Sequence, residues 1–275
     1  AGHIHEKAKY LKGIVESVNV TDNQTAVVRM ASMAVCRLLL DMGIEPNLQM
    51  VCRDRNRLAI QADLLGASAL GIKNVLCLSG DHQIFGDNPQ GQNVHDLDSM
   101  QLLQTVRHMR DEGKFIGGDE IHRAPQMFVG AAANPFADPF EIRVPRLAKK
   151  VAAGAQFIQT QCIFNIEKFA EWMNGVRDRG LHEKTYILGG ITPIKSLGMA
   201  KYMAQQVAGM DVPDAVIERI KGVDKKKQKE EGIKIAVETI QQVLAMPFIQ
   251  QRIRKFTFVN DPPACGINQH GIPFH

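Results

Sequence analysis

Residues 149–161 read Lys149-Lys150-Val151-Ala152-Ala153-Gly154-Ala155-Gln156-Phe157-Ile158-Gln159-Thr160-Gln161. The first five close a helix-period segment that begins near Pro139. Gly154 stands where a helix needs a left-handed residue to stop. The chain then passes through the apolar run Gln156–Thr160, of strand length, and meets polar Gln161. This order of helix, glycine stop, strand and polar end recurs along the whole chain.

Working outward, the apolar runs predict strands over Ile14–Val20, Asn47–Cys52, Asn74–Leu78, Met127–Ala132, Gln156–Thr160, Thr185–Leu188 and Lys255–Val259. Helix-period segments fill the gaps: His3–Lys12, Ala26–Met42, Arg55–Leu70, Ser99–Glu112, Pro139–Ala153, Ile166–Asp178, Ser196–Val207, Asp214–Lys221 and Gly232–Leu244. Gly43, Gly71, Gly113, Gly154 and Gly180 each follow a helix at the C-cap position, and Asp98 precedes Ser99 as an N-cap. Strict alternation of strand and helix predicts a parallel sheet covered by helices, and near-continuous apolar strands predict that both faces are covered. The expected fold class is α/β, a (β/α)8 TIM barrel in one domain over 1–275, a length near the ~250 residues such barrels use. Seven strands are read and eight are needed, so the first strand is expected upstream of His3. An open doubly wound sheet is the competing architecture, although no G-x-G-x-x-G follows any strand.

Composition excludes several classes. Charged residues make up 23% and the net charge is +4 over 275 residues, too mild to imply nucleic acid. The run Lys225, Lys226, Lys227, Lys229 is followed at once by Glu230 and Glu231, as on a solvated helix face. The five cysteines are scattered and odd in number, without a C-x-x-C pair, which fits a reducing, cytoplasmic setting and neither a disulfide scaffold nor a zinc site. No apolar run is long enough for a membrane span. His82, His95 and His122 lack metal-ligand spacing, so no metal is expected.

In a barrel, chemistry gathers at the C-terminal ends of the strands. The residues there are Thr21-Asp22-Asn23, Arg53-Asp54, Ser79-Gly80-Asp81, Asn134-Pro135, Gln159-Thr160-Gln161, Gly189-Gly190 and Asn260-Asp261. Gly80 allows close backbone approach, and Asp81 would project into the mouth of a pocket; an ordinary turn aspartate reads the same way. Gln161 can donate and accept, which suits a heterocycle of mixed edges. Arg146, Lys149 and Lys150 share one helix face, which suits a phosphate but also plain solvent. The polar, glycine-rich segments 83–94 and 117–123 have the character of lids or surface loops.

These strand ends resemble one known family. Asn19-Val20-Thr21-Asp22-Asn23-Gln24, Cys52-Arg53-Asp54-Arg55-Asn56-Arg57, Leu76-Cys77-Leu78-Ser79-Gly80-Asp81, Gly130-Ala131-Ala132-Ala133-Asn134-Pro135, the stretch 149–161 and Gly189-Gly190-Ile191-Thr192-Pro193 are similar, in order, to segments of methylenetetrahydrofolate reductases. The likeness is nearest to bacterial forms from anaerobic one-carbon metabolism. It implies a flavoprotein that reduces 5,10-methylenetetrahydrofolate to 5-methyltetrahydrofolate, with FAD as cofactor and FMN as the alternative, and NADH, NADPH or a redox partner subunit as donor. It implies catalytic roles for Asp81 and Gln161, with Leu197 beside them against the folate. It implies flavin contacts from Thr21, Asp22, Gln49, Ser79, Gly80, Asp81, Asn134, Arg146, Lys149 and Lys150. Self-association is also expected.

Two positions depart from the pattern: Leu197 and Asn134 stand where some members carry an aromatic. The family's general-acid glutamate, in a Glu-x-x-Pro-Pro context, is expected upstream of Ala1. The tail Pro262–His275 maps onto no segment of the family pattern, and contact with a partner subunit is one role open to it. The competing functions are a non-catalytic folate-binding barrel subunit and a pterin-dependent methyltransferase barrel.

Overall fold

The computed structural model describes residues 2–207 and 209–246, and the backbone of 257–258. The chain divides into two compact units, one formed by 2–131 with Ala152–Gln156, the other by Ala132–Val151 with the described residues from Phe157 onward.

In the first unit, helix α1 (Gly2–Leu11) leads into β1 (Val18–Val20), α2 (Ser32–Asp41), β2 (Pro46–Val51), α3 (Arg57–Ala69), β3 (Asn74–Leu78), α4 (Ser99–Asp111) and all but the last two residues of β4 (Phe128–Ala133). The strands are parallel and lie in chain order. Their register aligns Asn19, Asn47 and Asn74, and Asn47 Nδ2 donates to Asn19 Oδ1 at 3.1 Å. One fixed row at the start of the strands brings their far ends level, so residues 21–23, 52–55 and 79–81 share one rim. Leu48, Met50, Val75 and Cys77 are buried on one face of the sheet, each stabilising by about 1.5–3 kcal/mol, while Gln49 projects from the other.

The second unit holds α5 (Arg143–Ala153), β5 (Phe157–Cys162), α6 (Ile166–Asp178), β6 (Tyr186–Ile191), α7 (Leu197–Gln206), α8 (Asp214–Lys221), α9 (Gln228–Ala245) and β7 (Thr257–Phe258). α5 continues into the first unit at its last turn. β5, β6 and β7 are parallel and in chain order. Ile194, Met199, Ala200, Met203, Ile220 and Ile235 form a core in which α7, α8 and α9 meet. Arg219 ties α8 to α9 through Glu231 and Glu238.

An α/β fold on parallel strands is therefore observed. The five glycine stops all carry positive φ, from 62 to 120°. Several expected elements differ; α9 starts at Gln228, before the expected Gly232, and α5 at Arg143, after the expected Pro139. The helix expected from Ala26 starts only at Ser32: Asn23, Thr25 and Ala26 adopt left-handed φ of 43, 55 and 57°, and Asp87 takes the Val28 N–H. The strand expected from Ile14 starts at Val18, and Ile14 is exposed. Gly189 and Gly190, expected after a strand, lie inside β6, because a β-bulge in β5 brings the Thr160 carbonyl against Gly190. Of the strand expected over Lys255–Val259, Thr257–Phe258 is observed; the rest, with Asn260, Asp261, Cys265 and the tail, lies outside the described residues.

Asp98 forms a capping box with Gln101 at the start of α4, each side chain meeting the other's backbone N–H at 2.8–2.9 Å. Asp98→Ala removes an acceptor that one of the four orphan donors needs. The expected loss is about 1 kcal/mol, read as a fall in Tm of about 2–4 °C by calorimetry.

Candidate active site

The rim of the first unit is organised by charge. Arg53, only 1% exposed, sits at the end of β2. Its guanidinium grips the Asp54 carboxylate with two bonds of 2.7 Å and donates to the carbonyls of Asn23 (3.0 Å) and Asp81 (3.1 Å). Its own N–H donates to Ser79 O, and its carbonyl accepts from Val94 N. One residue thus joins the loops that follow β1, β2 and β3. The hydrogen bonds from Arg53 hold the Asp54 carboxyl below the usual carboxylate range, against the opposing effect of burial. Nearby, Asp22 is 2% exposed and accepts from Val51 N at 3.1 Å and Arg55 Nη1 at 2.7 Å. Arg55 reaches Asp63 as well. Burial works against the Arg55 charge, but the two carboxylates outweigh it and hold the guanidinium more firmly protonated.

Asp81 is exposed at the end of β3, and its Oδ2 accepts the Thr25 N–H at 3.0 Å. Gly80 before it has φ +90°; a Cβ there would lie 3.0 Å from Arg53 Cβ, so the close approach requires glycine. Ser79 is exposed, and Thr21 and Gln49 are half-buried. Left-handed backbone costs a non-glycine residue roughly 1–2 kcal/mol. The three such residues in 23–26 therefore need fixed partners, and Thr25, being β-branched, needs them most. Gln24 Oε1 in this loop is buried with no hydrogen-bond partner among the described residues.

The rim of the second unit is organised by backbone geometry. The β5–β6 register shifts between Gln159 and Cys162, so Gln161 sits in a bulge, a device that re-aims a side chain. Thr160 Oγ1 donates to Gln161 O and accepts from Gly190 N, both at 2.9 Å. A Cβ at Gly190 would stand 2.8 Å from Thr160 O. Asn134 Oδ1 accepts from Phe136 N at 3.0 Å, and its amide lies against Gly209. Lys150 donates to Ala132 O, while Arg146 and Lys149 are exposed on the same helix. The Leu197 N–H donates to Gln228 Oε1 at 2.9 Å, and its side chain rests on the α7–α9 core.

Of the residues expected from sequence, Thr21, Asp22, Gln49, Ser79, Gly80 and Asp81 thus belong to the first unit. Asn134, Arg146, Lys149, Lys150, Gln161 and Leu197 belong to the second. The positioning work of Arg53 and Arg55 was not singled out; an Arg-Asp-Arg run directly after a strand was the visible signal. A shallow cleft at the opposite, N-terminal strand ends of the first unit is lined by Lys73, Asn74, Arg110 and Phe128. There Arg110 donates to Met127 O and Gln156 Oε1, bonds that hold the fold. Among the described residues no cluster of His, Cys, Asp and Glu could hold a metal, and no helix is long and apolar enough to cross a membrane.

A family model described as methylenetetrahydrofolate reductase matches residues 4–259. The chain belongs to that family. Relatives in the family include "Methylenetetrahydrofolate reductase 2" of Schizosaccharomyces pombe, 28% identical over 216 residues, covering 77% of this chain and 33% of that protein. "Probable methylenetetrahydrofolate reductase (NADPH)" of Caenorhabditis elegans is 25% identical over 199 residues, covering 70% of this chain and 27% of that protein. The chain thus spans about a third of the length of these reductases or less. A Clostridium thermocellum protein that binds two copies of 5-methyl-5,6,7,8-tetrahydrofolic acid is similar in fold. It matches with a TM-score of 0.63 at 10% identity, over 94% of this chain and 80% of that one.

Three outcomes test the first unit. Arg53→Met removes the partner that holds Asp54 ionised. We expect a loss of about 3 kcal/mol in denaturant unfolding, the lower end for a buried pair because Asp54 reaches water. Asp54 has its pKa depressed in the folded state, so its share of stability is present above 3.8 and is lost as pH falls below that value. Wild type should lose stability more steeply there than Asp54→Asn does. Burial pushes the Cys36 and Cys52 thiols up to about 12. Iodoacetamide at about pH 8 should leave both unlabelled in the native chain and label both after unfolding, read by peptide mass.

Proposed function

We propose that this chain carries out flavin-dependent reduction of 5,10-methylenetetrahydrofolate to 5-methyltetrahydrofolate. The observation that carries this reading is Asp81, an exposed carboxylate at a strand end, fixed by the Thr25 N–H, in a chain whose family match runs over 4–259. The barrel completed by an eighth strand is the architecture this reading uses.

The residues suit a flavin. Gly80 presents backbone without a side chain beside Ser79, and Gln49 and Asp81 offer polar edges to a heterocycle. Arg146 and Lys149 hold exposed cations on one helix face, suited to a phosphate or pyrophosphate. The flavin, when bound, supplies the hydride chemistry. Asp81 places negative charge where the folate iminium carries positive charge, favouring the reactive form of the substrate. Gln161 donates to and accepts from the pterin, and Leu197 supplies apolar surface against it. Thr21, Asp22 and Asn134 complete the flavin-lining set, Asp22 chiefly by holding the rim through Arg55. Lys150, bonded to Ala132 O, fixes the end of β4 beside the phosphate-binding face. FAD is the proposed cofactor, with FMN the alternative. NADH, NADPH or a redox partner subunit is the donor, and the cytoplasm is the setting.

The purified chain should be yellow, with a flavin that can be released and identified; a colourless protein that takes up neither FAD nor FMN overturns the reading. Asp81→Asn should keep its flavin and slow reoxidation by methylenetetrahydrofolate about tenfold more than reduction by the donor, in stopped-flow half-reactions.

A further inference from the structure

The loop after β1 is held in an unfavourable shape, in part from the loop after β3. Asn23, Thr25 and Ala26 are all left-handed. Three contacts fix them. Arg53 Nη2 donates to the Asn23 carbonyl at 3.0 Å, and the Asn23 side chain accepts the Arg29 N–H at 2.9 Å. The third comes from 86–87. Both Asp87 oxygens lie 3.2 Å from the Val28 N–H, and Gly86 abuts Ala26 so closely that a Cβ would stand 1.9 Å from its carbonyl oxygen. The result is that the Thr25 N–H points at Asp81 Oδ2. A regular helix from Ala26, as the residue pattern favours, would aim that N–H elsewhere.

We infer that Asp87 is a positioning residue for Asp81. It pins Val28, keeps Asn23, Thr25 and Ala26 left-handed and so keeps a peptide N–H on the Asp81 carboxylate. Gly86 is the complementary part, the missing side chain that lets the two loops close. The consequence for catalysis rests on the reading that Asp81 acts on the folate; the positioning itself does not. An ordinary turn aspartate would bond its own loop. Asp87 accepts from Asn88 Nδ2 in its own loop at 2.9 Å and also bonds a backbone 59 residues away, on the segment that contacts Asp81.

The test uses the full chain with its flavin and has two arms. In the first, amide exchange is followed by mass spectrometry with fragmentation to single residues. Asp87→Ala should speed exchange at Thr25 and Val28 at least about tenfold while amides of β3 stay protected. Asp87→Asn, which keeps one acceptor, should stay near wild type. Gly86→Ala should reproduce the alanine variant by pushing on Ala26. In the second, Asp87→Ala should lower the rate of the folate half-reaction several-fold and leave reduction by the donor, flavin content and Tm near wild type. Unchanged exchange at Thr25 in Asp87→Ala overturns the proposal. So does an unchanged folate half-reaction where Asp81→Asn slows it. If Asp81→Asn itself changes nothing, the folate reading has failed, and the exchange arm decides the positioning claim alone.

Discussion

A guanidinium at 1% exposure is the constraint on which the first rim depends. Taking such a charge out of water costs several kcal/mol unless its protons are met. Here Asp54 supplies the countercharge, and the carbonyls of Asn23 and Asp81 meet the remaining directions. Those acceptors belong to three different strand ends. The desolvated charge is satisfied only when the three loops adopt one arrangement, so the cost of burying Arg53 becomes a penalty on every other arrangement. Gly80 follows from the same packing, because its neighbour is the Arg53 side chain itself.

The rim of the second unit reaches definition by other means. Among the described residues no buried ion pair orders Gln161. A bulge in β5, one threonine hydroxyl and a glycine in β6 do so. Charge is adjustable and long in range, whereas a bulge is set by steric fit over a few atoms. The two rims should differ in response to salt: the first contains partly exposed charges such as Asp54, while Thr160 and Gly190 contain none.

Much of the fold was legible. Helix stops could be read because a left-handed residue after a helix nearly demands glycine, and Asp98 because an acceptor must meet the first turn's N–H groups. Asn74–Leu78, Ile166–Asp178 and Asp214–Lys221 agree residue for residue. Two of the failures share a cause. The start of α2 and the end of β6 are decided by contacts from distant segments: Asp87 on Val28, and Thr160 on Gly190. Local periodicity carries no trace of a partner 59 or 30 residues away. The site was legible where function rests on residue type at a strand end, as with Asp81. Asp22 reads the same way in sequence, yet its carboxylate is taken up by Val51 and Arg55. Arg53 was legible as a strand-end residue but its buried bridging role was not, because an arginine beside an aspartate ordinarily means a solvated surface pair.

The bulge has an evolutionary corollary. The extra residue in β5 pushes the Thr160 carbonyl to where a methyl group on residue 190 would have to go. Two sites far apart in the chain are therefore locked: a lineage that keeps the bulge must keep glycine opposite, and one that loses it is released to take alanine or serine. Sequence drift at 190 would then be a fossil record of whether Gln161 still stands on an irregular strand.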